Sequence, residues 1–219
     1  MINFISSMDD FNLLIFQLAV LLMSVVIHEV SHGVVALWQG DPTAKLMGRL
    51  TLNPIKHLDV WGSFLVPLML FVFSGGNFLF GWAKPVPYNS YNLRNQKWGA
   101  AMVGLAGPAS NFLMALVFGL ALRFFPAAIE GLPFFQNLAE IFIIIVMLNI
   151  LLGVFNLVPI PPLDGSKLLF SILPARMSHI QMFLERYGFM ILIFFIFFAF
   201  DIIFPIVNAL FYLITGLRI

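Results

Sequence analysis

Two histidines and a glutamate stand in this chain where a membrane helix should hold nothing ionisable. Residues 28–32 read His28-Glu29-Val30-Ser31-His32, inside a stretch from Phe11 to Trp38 that is otherwise almost wholly apolar. Each ionisable group at bilayer depth costs roughly 3 kcal/mol, so such groups persist only where they have partners. His-Glu-x-x-His on a helix suits a catalytic zinc ion, because a spacing of four sets His28 and His32 one turn apart on one face. Glu29 is rotated by about 100° from His28 but lies three residues before His32, so it flanks that face. There it can take a proton from a water made acidic by the metal. The competing reading is a chance pattern, with both histidines hydrogen-bonded inside a helix bundle.

The surroundings are those of a membrane. The chain is 61% hydrophobic and 10% charged, with a mean hydropathy of +1.01. Soluble domains carry about 25% charged residues, so a water-soluble fold would lack the polar surface it needs. No basic n-region or small-residue cleavage site precedes the first apolar run, which reads as a retained helix rather than a removed signal. A net charge of +1 argues against nucleic acid as a partner, and the absence of cysteine leaves any metal to histidine and carboxylate. We expect no appended soluble sensor domain within 219 residues.

Five apolar segments, about 11–38, 60–80, 99–125, 137–158 and 188–217, reach the ~20 residues a span needs. Between the first two, Leu46, Leu50 and Leu52 alternate with Lys45, Arg49 and Thr51, which is strand periodicity. Asp41-Pro42 and Asn53-Pro54 punctuate its ends. Residues 81–94 read as extended and irregular, with Trp82 as an interfacial anchor. Asn156 to Asp164 is broken by Pro159, Pro161 and Pro162.

Two arguments make 60–80 re-entrant. Lysine and arginine favour the cytoplasmic side; that bias vanishes if all five segments cross. If 60–80 dips and returns, every basic residue except Arg123 and Arg218 falls inside. The second argument is convergence. Among the remaining ligand candidates (His57, His179, Asp59, Asp201 and Asp164), Asp164 is the best third ligand, because the prolines unwind the chain before it and Gly165 permits close backbone approach. The alternative for Asp164 is a plain helix exit at the surface. For Asp164 to share an ion with His28 and His32, the first and fourth segments must run the same way, with one crossing between them.

Gly107-Pro108-Ala109-Ser110-Asn111 opens the third segment's helix and has two readings. Small residues permit close helix packing, or Asn111 aims its amide at the site and donates to a developing oxyanion. His57 reads as a loop hydrogen-bonder rather than a ligand.

Together, His28 to His32, Gly107 to Asn111 and Asn156-Leu157-Val158-Pro159-Ile160-Pro161-Pro162-Leu163-Asp164-Gly165 resemble the site-2 protease family of intramembrane zinc metalloproteases, over about residues 11–175. Leu52 to Asp59 and Gly81 to Pro87 are similar to its short branch, without PDZ or CBS domains. The resemblance implies His28, His32 and Asp164 as ligands of one Zn2+, Glu29 as catalytic base, and Asn111 as a helper in catalysis or substrate binding. It also implies hydrolysis of peptide bonds in the membrane-embedded part of other proteins.

The expectation is therefore an all-α polytopic membrane protein with about four full transmembrane helices, a re-entrant segment near 60–80 and a short β element near 44–52. Residues 1–219 form a single membrane-embedded metalloprotease domain, with a core at about 11–175 and a C-terminal helical segment at 188–217. Its partners are the lipid bilayer and a membrane-protein substrate, which pairs as a strand with the segment around Leu50. Its place is the plasma membrane, multi-pass, with the site towards the cytoplasm. The rivals are a metal transporter, an inactive helix-binding relative, or a zinc amidase acting on a lipid-like molecule.

Overall fold

The computed structural model describes residues 10–73, 75, 83–95, 97–124 and 133–218. In chain order the α-helices are α1 (Asp10–Trp38), α2 (Thr43–Leu46), α3 (Val66–Phe73), α4 (Gly99–Phe124), α5 (Pro133–Asn156), α6 (Gly165–Ile172), α7 (Ser178–Phe198) and α8 (Ile203–Thr215). No strand occurs among the described residues. Among the described residues, four stretches are long and apolar enough to cross a bilayer: Phe11–Trp38, Gly99–Phe124, Leu138–Asn156 and Ser178–Phe198. The chain is a multi-pass, all-helical membrane protein.

In lipid, apolar burial gives helices little reason to associate, so close backbone approach over small residues takes its place. α4 shows why it is central: its buried positions include Gly99, Ala101, Gly104, Gly107, Ala115 and Gly119. It packs on α1, α5, α6 and α8. Below the polar site, Ala115 and Leu122 of α4 meet Val146 and Ile150 of α5 and Val207 and Phe211 of α8 in a tight apolar cluster. α7 is more loosely attached, with Gly188 and Leu192 as its buried residues.

Hydrogen bonds give the helix directions. His28 on α1 meets Asn111 on α4, and four residues later His32 meets the carbonyl of Val103. The partner number falls as α1 advances, so α1 and α4 are antiparallel. Asn111 and Ser24 both bond Asn149 on α5, while the loop after α5 returns to His28 and His32, so α5 runs with α1. α4 thus runs opposite to both α1 and α5, whose C-terminal ends come together at His28, His32 and Asp164.

The short β element expected near 44–52 is not formed. Asp41 accepts from the backbone and hydroxyl of Thr43, and bonds from Leu46 N to Pro42 O and Met47 N to Thr43 O close a helical turn instead. Gly48, at φ +63°, then turns the chain. Local capping outweighs alternation in a segment with no neighbouring strand to pair. Within 60–80, the described part is a six-residue π-helix, Val60–Leu65, capped by Asp59 and continued by the eight residues of α3. These rise only about 20 Å against a core of about 30 Å. Residues before and after this segment adjoin: Lys84 N donates to the carbonyl of His57 at 2.8 Å. Gly81 and Trp82 lie outside the described residues. The last apolar segment is two helices, since Phe200–Ile202 is a 3-10 turn between α7 and α8, and α7 starts at Ser178, ten residues before the expected boundary. Pro108 lies inside α4 rather than at its opening.

Candidate metal centre

α1 delivers His28 and His32 side by side, one turn apart, with ring centroids 4.7 Å from each other. The proline-broken stretch after α5 brings Asp164 to them. Its Oδ2 lies 2.9 Å from Nε2 of His28 and 3.1 Å from Nε2 of His32. One ligand atom from each of the three falls within 4.8 Å of the others, and all three residues are buried. Gly165 makes this approach possible, because a Cβ there would sit 2.2 Å from the carbonyl oxygen of Leu157.

Each ring is held from behind. Nδ1 of His32 donates to the carbonyl of Val103 at 2.6 Å, and Nδ1 of His28 bonds Oδ1 of Asn111 at 2.5 Å. With both Nδ1 atoms engaged behind, the two Nε2 atoms and a carboxylate oxygen are left facing inward. Three such donors with space between them are the chemistry a catalytic zinc site requires. Gly107 supplies the space, since a Cβ there would lie 2.4 Å from Nε2 of His28 and 2.6 Å from Cε1 of His32.

Burial alone would raise the carboxyl pKa of Asp164. Hydrogen bonds from His28 and His32, with the charges of His32 and Lys167, outweigh it and hold the group well below the usual carboxylate range. Lys167, one turn on in α6, places Nζ 2.9 Å from Oδ1 of Asp164 and 5.4 Å from the Tyr88 ring centroid. Glu29 borders the same space, and its Oε2 accepts from Val86 N at 2.8 Å. A cavity of about 130 Å³ joins these groups, lined by His28, Glu29, His32, Asn156, Asp164 and Lys167 and covered by residues of 85–88. At ~30 Å³ per water this holds a few waters, not a length of peptide.

The remaining expectations fall as follows. Asn111 is wholly buried behind His28, and its amide nitrogen is given to Asn149 at 2.9 Å. It therefore meets the cavity through the imidazole and not directly. Leu50 is half-buried over Gly33 of α1, its Cδ2 2.5 Å from where a Cβ would stand. His57 donates from Nε2 to the carbonyl of Thr51, Asp59 caps the π-helix, and His179 is exposed. Sequence reasoning missed Lys167, although an (i, i+3) lysine after a candidate ligand was a usable signal. It also missed Val86 N–H, Asn149 and Ser24. Asn149 left a trace, as an amide in the otherwise apolar stretch 141–155.

The model for "Peptidase family M50" matches residues 16–140 and 128–199. "Putative zinc metalloprotease YwhC" of Bacillus subtilis (strain 168) is 38% identical over 173 residues, which is 78% of this chain and 75% of that protein. "Putative zinc metalloprotease Rip2" of Mycolicibacterium smegmatis is 31% identical over 78% of this chain and 62% of its own length. "Zinc metalloprotease MJ0392" of Methanocaldococcus jannaschii is 26% identical over 74% of this chain and 35% of its own. No solved structure gives a significant match.

Proposed function

The chain belongs to peptidase family M50, and on that premise we propose that it is an intramembrane zinc metalloprotease, hydrolysing peptide bonds in or near the membrane-spanning segments of other membrane proteins. The observation that carries this reading is the convergence of His28, His32 and Asp164 from α1 and the post-α5 loop onto one buried point. These three would hold one zinc ion, each offering one ligand atom. Bound there, zinc would supply Lewis-acid chemistry, with a polarised substrate carbonyl and a water acidic enough to be deprotonated near neutral pH. Glu29 takes that proton as the water oxygen bonds to the carbonyl carbon, and passes it to the amine as the C–N bond breaks. Val86 N–H orients the Glu29 carboxylate for this task. Asn111 serves by steadying His28, and Lys167 by occupying the outer oxygen of Asp164.

Residues 60–80 are re-entrant in this reading. The contact between His57 and Lys84 supports it, as does Gln39 at the end of α1 bonding Gly99 at the start of α4. The basic residues Lys45, Arg49, Lys56, Lys84, Arg94 and Lys97 then share the face of the site. Arg123 lies at the other end, where its guanidinium donates to the carbonyl of Leu213 near the close of α8. By the positive-inside rule the site faces the cytoplasm of a plasma membrane. An extended substrate takes its place beside Arg49–Thr51, with Leu50 at the contact.

The test uses purified protein in detergent with a model transmembrane peptide. Glu29→Gln should be folded, zinc-loaded and inactive, while His28→Ala and Asp164→Ala should lose both zinc and cleavage. Turnover near wild type in Glu29→Gln would remove the assigned base, and full zinc content in both ligand variants would remove the metal centre.

A further inference from the structure

A backbone carbonyl has no hydrogen to give, so any side chain facing it must donate. In α5 the carbonyl of Ile145 faces the Asn149 amide at 2.8 Å, and Oγ of Ser24 lies 2.9 Å from the same atom. That atom must be the amide nitrogen. The oxygen of Asn149 then points at Asn111, 2.9 Å away, and can only accept there. Asn111 must therefore turn its own nitrogen to Asn149 and its oxygen to Nδ1 of His28. An oxygen without a hydrogen requires one from the ring, so Nδ1 of His28 carries a proton, and Nε2, 2.9 Å from Oδ2 of Asp164, is the nitrogen that would give up its own to a metal. An isolated asparagine beside a histidine would not decide this, because its amide can turn over and present nitrogen instead.

We propose that Asn149 is a positioning residue for the metal centre: through Asn111 it holds His28 with its proton on Nδ1 and its Nε2 available. This rests on the zinc reading given above. Asn149 touches neither ligand nor cavity. It lies fully buried on a third helix, as does Asn111 on its own, and the chain of bonds ties α1, α4 and α5 together at one depth. With leucine at 149, nothing would oblige the Asn111 nitrogen to face away from His28. A turned amide would then draw the proton to Nε2, the atom that must bind the metal.

The experiment measures zinc affinity by chelator competition on the full chain in detergent, in a two-by-two set. Asn149→Leu should weaken zinc binding at least tenfold, in keeping with the usual effect of losing a ligand's supporting partner. Asn111→Asp presents oxygen to His28 whichever way it turns, and leucine at 149 also removes the oxygen that would oppose that carboxylate, so in that background Asn149→Leu should cost less than about threefold, a ceiling well below the same tenfold effect. An equal loss in both backgrounds, or none in either, would overturn the relay. Independently of any variant, zinc-loaded wild type labelled with [15N]histidine should show a protected Nδ1–H on His28, a tractable signal among four histidines. Its absence would overturn the relay even if Asn149→Leu failed to fold. His28→Ala separates the two readings: if it retains zinc, the metal assignment falls, whereas zinc loss there with unchanged affinity in Asn149→Leu sinks the relay alone.

Discussion

Gly107→Ala sets two physical arguments against each other. Gly107 is interior to α4, and helix propensity alone would favour alanine there by about 1 kcal/mol. The added methyl carbon, however, would lie 2.4 and 2.5 Å from Nε2 and Cε1 of His28 and 2.6 Å from Cε1 of His32, where ordinary contact begins at 3.4 Å. The rings must therefore retreat by roughly 1 Å, several times the ~0.2 Å tolerance of a metal–ligand distance. They have no easy retreat, because each Nδ1 is tied to α4 itself, one to Asn111 and one to Val103. The alternative is for α1 and α4 to separate, which strains the same bonds. Overpacking of this kind costs about 1–3 kcal/mol, an amount the gain in propensity partly offsets. The variant should thus fold with a thermal midpoint close to wild type, yet bind zinc at least ~100-fold more weakly, at the severe end of what disturbed ligand support produces. Chelator competition and thermal melting on the same detergent preparation measure both quantities. Zinc affinity within threefold of wild type would refute the argument that this glycine keeps the ligand space open.

Three further outcomes follow from the same geometry. Asp41, buried in the loop after α1, accepts from Thr43, Asn92 and the backbone of Asn89, tying 41–43 to 89–92. Burial raises its pKa, but those bonds outweigh it and depress the folded-state value. Its stabilisation is therefore present above the ordinary carboxylate pKa of about 3.9 and lost as pH falls through the lower folded value. Asp41→Ala should cost about 1–3 kcal/mol at pH 7, and the gap between the two melting curves should close under strongly acid conditions; a gap independent of pH would contradict the assignment. Gly165→Ala should lose zinc outright, because its methyl would meet the backbone of Leu157, which cannot yield without carrying Asp164 away; metal analysis decides it. Leu50→Pro should abolish cleavage of a helical peptide while sparing zinc content, whereas Leu50→Ala, which keeps the N–H, should remain active. Full activity in the proline variant would end the strand-pairing idea.

Much of the site could be read before any fold was known, for a local reason. The spacing of His28, Glu29 and His32 acts within one helix, whose geometry is the same in every context, so their shared face follows from residue numbers alone. Asp164 was reachable because a run of prolines in an apolar chain marks backbone that must line a cavity. That α1 and α5 run the same way followed from requiring His28, His32 and Asp164 to meet, which is a counting argument. The β element failed because alternation is a statement about two faces, and a segment with no strand beside it has no use for them; the Asp41 cap and a closing turn won.

What awaited the tertiary structure were contacts between helices distant in sequence. No periodicity relates Ser24, His28, Asn111 and Asn149, and only their meeting at one depth links Ser24 and Asn149 through Asn111 to His28. Gly107 is likewise silent as a letter, since a missing side chain acquires meaning only from the two rings that fill its place. Short-range order is written in the chain because helix geometry is universal. The partners of a buried imidazole depend on which atoms packing brings together, and only the bundle supplies those.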